Sequence, residues 1–304
     1  MPKIENGNRL KGIGFVLLAS LGYGVMPALS QLAFKSGVDI NTMLANRYFI
    51  ALLITWSYIF IRKIDFRVSR KQFVFMMAVG VLYIGIAMCI NNSYLYLPGA
   101  IASILIFSYV SLVVIFEIII GREKPNLTKI ICVIISIVGL SLVVWSPSGN
   151  SKLSIIGISF ALGAGIFYGI YATTLGGKMA KGIDATILVA YVLIVPAIFY
   201  PIRCIMVGET LFASNLEQFS YILAVTVICT FLATLWFCFA VRLIGSSTSA
   251  IINTIEPVIA YFAGMFFLGD VLSPNSIFGG LLIIVAIVLL NVVEGTKEKV
   301  TLER

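Results

Sequence analysis

Long runs of apolar residues follow one another along the chain, separated by short polar segments. Ten of these runs are about 20 residues long, which is the length that a helix needs to cross the hydrocarbon core of a bilayer. Apolar residues fill consecutive positions within a run, as from Ile277 to Leu290, whereas a membrane β-strand alternates apolar and polar residues. The predicted spans are residues 12–33, 42–61, 73–96, 99–119, 129–145, 155–176, 186–203, 219–241, 246–267 and 274–293.

The composition agrees with this pattern. Of the 304 residues, 60% are hydrophobic and only 11% are charged, whereas a soluble domain carries about 25% charged residues. So few charges cannot cover the surface of a soluble fold of this size. We therefore predict an all-α integral membrane protein of ten transmembrane helices, which contacts membrane lipid directly.

The basic residues predict how the chain is oriented. With ten spans and a cytoplasmic N-terminus, only Lys35, Lys152 and Arg203 fall on the outer side, and Arg47 lies inside a span. The other 17 of the 21 lysines and arginines are then cytoplasmic, which is a strong positive-inside bias. We expect a multi-pass protein of the cytoplasmic (inner) membrane with both termini in the cytoplasm. The net charge of +8 thus reflects topology, and we expect no nucleic-acid partner.

The chain also repeats itself, which predicts two halves, residues 1–150 and 151–304. Each half would hold five helices, and because five is odd the second half enters the membrane from the opposite side. Such inverted repeats are the architecture of many secondary transporters. At an offset of 145 residues, the matches are Gly12, Phe15, Tyr23, Gly24, Gly37 and Asp39 with Gly157, Phe160, Tyr168, Gly169, Gly182 and Asp184. Later elements match at an offset near 147, where Glu123 meets Asp270.

Five short motifs occur in a fixed order. They are Gly-Tyr-Gly at 22–24, Arg-Tyr-Phe-Ile-Ala-Leu-Leu at 47–53, Tyr-Leu-Tyr-Leu-Pro-Gly-Ala-Ile-Ala-Ser at 94–103, Asn-Thr-Ile-Glu-Pro-Val-Ile-Ala at 253–260 and Leu-Gly-Asp at 268–270. In these motifs the chain resembles the EamA-type ten-helix exporters of the drug/metabolite transporter (DMT) superfamily. The resemblance covers nearly the whole chain. It implies an inverted-repeat basket around a central cavity, and transport of small metabolites coupled to a proton or another gradient.

Two charged residues inside spans are the leading candidates for function, because a charge at mid-bilayer costs at least about 2.5–3.5 kcal/mol. Glu256 precedes Pro257, which interrupts the helical hydrogen bonds. Glu256 either binds a cationic group or a coupling proton, or it ties helices together through hydrogen bonds. Arg47 either attracts an anionic group, or it pairs with backbone carbonyls or with Asn91 and Asn92. In the first half, Tyr109 stands where the second half has Glu256.

Uncharged polar and aromatic residues complete the candidate site. Asn253 lies three residues before Glu256 and should share its helix face. Tyr23 and Tyr168 are related by the repeat, and tyrosines deep in spans either line a pocket or pack with satisfied hydroxyls. Tyrosines nearer span ends, including Tyr94 and Tyr200, suggest an interfacial belt. The candidate substrate-binding residues are Tyr23, Arg47, Asn91, Asn92, Tyr109, Tyr168, Trp236, Asn253 and Glu256, with Glu256 also the candidate for proton coupling.

The sequence offers little for catalysis. It has no histidine and only five scattered cysteines, so we expect no metal site and no cofactor. No phosphate-binding loop is present, which argues against ATP-driven pumping by this chain alone. We therefore expect a protein that is not an enzyme.

The favoured hypothesis is a secondary active transporter that moves small metabolites, such as amino acids or similar zwitterions, by alternating access. Export is the direction that the resemblance implies. An importer or exchanger of an organic cation or nucleoside-like metabolite remains open. So does a membrane-embedded lipid-handling protein or enzyme. The sequence leaves the choice between a monomer and a homodimer open as well.

Overall fold

The computed structural model describes residues 2–122, 127–144, 154–175, 177–244, 249, 252–253, 255–271 and 273–302. The regular structure within these ranges is helical. In chain order, the helices are α1 (Pro2–Lys35), α2 (Ile40–Ile61), α3 (Arg70–Ser93), α4 (Gly99–Ile106), α5 (Ser108–Ile119), α6 (Leu127–Val144), α7 (Ile155–Leu175), α8 (Lys178–Lys181), α9 (Ala185–Val207), α10 (Leu216–Ala224), a π-helix (Val225–Leu232), α11 (Ala233–Ile244), α12 (Glu256–Leu268) and α13 (Pro274–Leu302).

These helices form ten membrane spans. Within the described ranges, seven helical stretches are long and apolar enough to cross a membrane, and three shorter apolar helices complete the set. Large apolar side chains point outward, as Phe262 (55% exposed) and Phe266 (82% exposed) show for α12, and lipid is the environment that suits such a surface. The predicted all-α membrane fold with ten spans is confirmed, and the chain is a multi-pass membrane protein.

Three of the predicted spans differ in detail, and the predicted start of a fourth lies outside the described residues. The third ends at Ser93 rather than at residue 96, because the chain turns there towards Pro98. The fourth breaks at Phe107 into α4 and α5, and the eighth contains the π-helix. Helix α12 begins only at Glu256, whereas the ninth span was predicted from residue 246, which lies outside the described residues.

Equivalent contacts at opposite ends of the bundle show that the two halves are inverted copies. Gly157, at the start of α7, is so close to Tyr96 and Leu97 that a Cβ atom there would lie 2.7 Å from each. Gly12, near the start of α1, packs in the same way against Leu243 and Ile244. These are the repeat-related residues at offsets of 145 and 147. The predicted boundary near residue 150 stays a prediction, since residues 145–153 lie outside the described ranges.

Glycines bring the helices of the two halves together. A Cβ atom on Gly22 of α1 would lie 2.9 Å from Ala233 of α11, and one on Gly85 of α3 would lie 2.8 Å from Phe167 of α7. Small residues allow such close helix packing in membranes. Helices α1, α3, α7 and α11 thus pack across the boundary between the halves, and they position the candidate site.

Candidate substrate-binding site

The two broken spans place Tyr109 and Glu256 at related positions. Helix α5 begins at Ser108, one residue before Tyr109, and α12 begins at Glu256 itself, with Pro257 in its first turn. Proline fits there because the first N–H groups of a helix have no intrahelical partner. The positive end of the α12 dipole also favours a carboxylate at this position. Interrupted helices of this kind frame the binding sites of many transporters.

Glu256 is held by neutral groups. The Asn253 amide donates to the Glu256 carboxylate at 3.1 Å, so the prediction that these two side chains share a face is confirmed. Ser20 of α1 in turn donates to the Asn253 carbonyl oxygen at 2.8 Å. Among the described residues, the structure records one salt bridge, Glu117–Arg122 at 3.2 Å. That pair lies at the end of α5. In the part of the chain that the structure describes, no cationic partner is recorded for the Glu256 carboxylate.

Three candidate tyrosines lie in the same region as this carboxylate. The Tyr23 hydroxyl donates to the Thr234 hydroxyl at 3.1 Å, and the Tyr109 and Tyr168 rings lie 4.3 Å apart between centroids. All three phenol groups lie within electrostatic range of Glu256. They lie among the helices, and each side chain is half-buried.

A row of tyrosine rings continues from this cluster across the bundle. Tyr168 is 5.8 Å from Tyr171, Tyr171 is 5.7 Å from Tyr83, and Tyr83 is 5.7 Å from Tyr48 between ring centroids. The row joins α7 to α3 and α2. It ends next to Arg47, whose guanidinium carbon lies 5.5 Å from the Tyr48 ring centroid. The row of tyrosine rings therefore extends from the region of Glu256 to the buried guanidinium of Arg47.

Arg47 is 6% exposed and makes contacts across the bundle. Its Nε donates to the Thr230 hydroxyl at 2.9 Å, and its Nη2 donates to the Met26 sulfur at 3.3 Å. Thr230 lies in the π-helix and donates to Val225, five residues earlier, at 3.1 Å. Irregular turns of this type are frequent at functional sites. Here the turn lets one hydroxyl serve both Val225 and Arg47.

The two asparagines of α3 have other partners. Asn91 is fully buried and donates to the Ala87 carbonyl at 2.8 Å, while Asn92 donates to the Met88 carbonyl at 2.7 Å. The suggested pairing of Arg47 with these amides is not found, because the recorded partners of Arg47 are Thr230 and Met26. The Asn91 side-chain oxygen is buried without a hydrogen-bond partner. A role for Asn91 and Asn92 in substrate binding stays a prediction.

Trp236 lies in α11, two residues after Thr234, and is half-buried. Trp236 therefore lies less than one helical turn after Thr234, which accepts the hydrogen bond from Tyr23. Its contact with a solute stays a prediction.

Two tyrosines assigned to the interfacial belt are instead buried, so that assignment is wrong for them. Tyr200 is fully buried, stacks on Tyr48 at 5.6 Å between centroids, and donates to the Ile84 carbonyl at 3.1 Å. Tyr94 is 4% exposed. It lies within electrostatic range of both Arg47 and Glu256. Distance from a predicted span end failed as a criterion because it does not show which way a side chain points.

Sequence inspection also missed the hydroxyl partners of the site, Ser20, Thr230 and Thr234. Serine and threonine occur throughout membrane helices and commonly bond within their own helix. Thr55, which donates to the Ala51 carbonyl at 2.8 Å, is an example. Nothing in the sequence separates such residues from those that reach another helix.

One further acidic group lies outside the spans, in the turn after α12. Burial raises the pKa of the Asp270 carboxyl, and the nearby charge of Lys35 opposes this effect. Asp270 belongs to the Leu-Gly-Asp motif and packs on Gly264, where a Cβ atom would lie 2.7 Å from its carboxylate. This contact closes the turn at the end of α12, away from Glu256.

Known proteins share this pattern. The model of the EamA-like transporter family matches residues 10–145 and 155–292, one match in each half. The chain belongs to the EamA-like transporter family. The family resemblance predicted from the motifs is thereby confirmed, and this is a family of transporters rather than of enzymes.

Individual relatives agree with the family match. The threonine/homoserine exporter RhtA of Escherichia coli (strain K12) is 27% identical over 214 residues, which cover 69% of this chain and 70% of the relative. The protein of the same name from Salmonella typhimurium (strain LT2) is 27% identical over 213 residues, or 68% and 69% of the two chains. A solved structure shares the fold, with a TM-score of 0.64 at 14% identity over 94% of this chain and 96% of its own.

Proposed function

We propose that this EamA-like protein is a secondary active transporter that exports a small zwitterionic metabolite, such as an amino acid, by alternating access. The observation that carries the proposal is the Glu256 carboxylate. It lies within electrostatic range of three half-buried tyrosines, and its recorded hydrogen bond comes from the neutral Asn253. A buried charge is costly unless it is paired, so an incoming ammonium group is a suitable partner.

A positive charge at the other end of the tyrosine row supports a zwitterion. Arg47 is buried behind Tyr48, and its recorded partners are neutral. Its charge would attract a carboxylate through the low-dielectric interior, while Glu256 attracts the ammonium group. The similarity to threonine/homoserine exporters favours an amino acid with a small polar side chain, for which the tyrosine hydroxyls offer hydrogen bonds.

Glu256 is also our candidate for the coupling proton. A carboxylate held by an amide can be neutralised either by a proton or by the cationic group of a solute. Competition between the two would link proton entry to solute release. This exchange requires only that each half of the transport cycle expose Glu256 to one side of the membrane.

A second candidate function is the transport of an organic cation. It is favoured by the tyrosine faces around Glu256, because aromatic rings attract cations. It is opposed by Arg47, whose positive charge lies at the end of the same aromatic row.

Counterflow in proteoliposomes tests these proposals. Threonine and homoserine should exchange, whereas choline should not. Glu256→Gln should lower the exchange rate by about 100-fold, because it removes the charge that binds the ammonium group. The matched control is Glu117→Gln, which alters a partly exposed ion pair and should change the rate by less than about twofold.

Three results would oppose the proposal. Exchange of choline but not of amino acids would favour the cation transporter. Normal exchange by Glu256→Gln would remove the carboxylate from the mechanism. An equal loss in Glu117→Gln would indicate a general effect of acidic residues rather than a binding site.

A further inference from the structure

The turn between α3 and α4, residues 94–98, lies at one end of the bundle. By the predicted orientation this is the external end. Gln31 of α1 donates both amide hydrogens to the turn, one to the Tyr94 carbonyl and one to the Leu97 carbonyl, each at 2.8 Å. One side chain thus satisfies two carbonyls that follow the last turn of α3, where helical partners are lacking.

The opposite side of the turn packs on α7, which belongs to the second half. A Cβ atom on Gly157 would lie 2.7 Å from both Tyr96 and Leu97, and the Tyr96 ring stacks on Phe160 with centroids 6.3 Å apart. The turn is therefore held between α1 and α7. The α7 side is apolar and close-packed, whereas α1 holds the carbonyls of the turn through two hydrogen bonds that water can replace.

Tyr94 extends from this turn towards the candidate site. Its side chain is 4% exposed and contacts Ser103 of α4. Its phenol group lies within electrostatic range of Arg47 and Glu256. The same residue therefore offers its carbonyl to Gln31 and its side chain to the region between the two charges.

Helix α1 lacks one backbone hydrogen bond between the candidate site and Gln31. Pro27 cannot donate the helical hydrogen bond that would reach the carbonyl of Tyr23. Pro27 also packs on the start of α4, where a Cβ atom on Gly99 would lie 2.7 Å from it. Because of the missing hydrogen bond, the end of α1 that carries Gln31 can bend at less cost than an uninterrupted helix.

We propose that Gln31 holds the external end closed, and that Tyr94 is the positioning residue through which a bound solute changes this closure. The part that concerns Tyr94 rests on the proposed function, whereas the part that concerns Gln31 does not. At the offset of 145 residues, the position related to Gln31 is Gly176, and glycine has no side chain that could donate a hydrogen bond. The sequence therefore has no counterpart of Gln31 at the repeat-related position.

Thiol labelling in right-side-out membrane vesicles tests the role of Gln31. The reporter is Ser30→Cys, a near-isosteric change at a fully buried position next to Gln31. A membrane-impermeant maleimide is added outside, and the chain with Ser30 intact gives the background rate. Adding Gln31→Met, which keeps the length but removes both donors, should raise the labelling rate about tenfold or more, because two hydrogen bonds are lost.

Ser36→Ala is the matched control, since the Ser36 hydroxyl donates only within its own turn, to the Ala33 carbonyl at 2.8 Å. It should change the labelling rate by less than about twofold. Gln31→Glu gives a second test if the methionine variant fails to reach the membrane, because its carboxylate would face two carbonyls and should also speed labelling. Labelling of both Gln31 variants at the rate of the reporter alone would overturn the proposal.

Adding solute tests the role of Tyr94. Saturating threonine or homoserine should change the labelling rate of the reporter at least about threefold. Tyr94→Phe should reduce this response by at least half, while changing the rate without solute by less than about twofold. An unaltered response in Tyr94→Phe would overturn the role of Tyr94. A reporter chain that responds to neither amino acid would contradict the proposed function and the role of Tyr94, whereas the Gln31 result would stand.

Discussion

Helices α5 and α12 begin at repeat-related positions but differ in chemistry there. In the first half, Tyr109 follows the break and packs on Tyr168 of α7 with ring centroids 4.3 Å apart. In the second half, Glu256 follows the break, within electrostatic range of Tyr23 of α1. The duplicated scaffold thus supplies two helix starts, and Tyr109 of the first lies within electrostatic range of Glu256 of the second. The exchange of tyrosine for glutamate makes the two starts unequal in charge, and this would orient a solute that has one cationic end.

The largest effect is expected when the first half receives the glutamate that the second half has at the related position. Tyr109→Glu puts a carboxylate at each broken span. Threonine counterflow should fall about 100-fold, because the second negative charge repels the carboxylate of the solute. Exchange of a linear diamine such as putrescine should appear instead. Both rates are measured in the same proteoliposomes.

Tyr109→Phe is the control for this change, since it keeps the ring contact with Tyr168 and adds no charge. It should retain threonine counterflow within about threefold. If Tyr109→Glu transports threonine as well as Tyr109→Phe does, the two helix ends do not face a common space.

A smaller effect, on the melting temperature, is expected from changes in the packing of glycines next to α5 and α12. A Cβ atom on Gly24 would lie 2.6 Å from Ile259 and 3.0 Å from the Glu256 carbonyl, whereas one on the related Gly169 would lie 3.1 Å from Leu112. Overpacking against backbone costs more than contact with a flexible side chain. Gly24→Ala should therefore lower the melting temperature in detergent by about 5 °C, and Gly169→Ala by about 1–2 °C.

Gly169→Ala is the control for Gly24→Ala, because both changes add one methyl group at repeat-related positions. Equal losses of melting temperature would show that the second half is not packed more tightly around its broken span than the first.

The membrane architecture could be predicted from the sequence, because apolar runs report directly on the length and number of spans. The repeat was visible because residues that sit at helix contacts, such as Gly12 and Gly157, occupy the same position in both halves. Glu256 and Asn253 also stood out, since a carboxylate and an amide one helical turn apart are rare in lipid-embedded helices.

The partners of these residues could not be predicted, because they depend on side-chain direction and helix packing. Tyr94 lies at the end of α3 and resembles an interfacial tyrosine in sequence, yet its side chain turns inward. Thr230 contacts Arg47 from within a π-helix. A π-helix has one more residue in each turn than an α-helix, and the amino-acid composition of the segment does not reveal this difference. Gln31 gave no signal either, because its two acceptors are backbone carbonyls.

The central claim is that the polar face of the ninth span meets an aqueous space enclosed by the two halves. It is tested most directly by labelling purified protein with a water-soluble maleimide at Asn253→Cys and at Phe262→Cys, with the unaltered chain as background. We expect rapid labelling at Asn253→Cys, slowed by threonine, and slow labelling at the outward-facing Phe262→Cys. Rapid labelling at Phe262→Cys with none at Asn253→Cys would contradict it, since Glu256 would then lie in a solid interior.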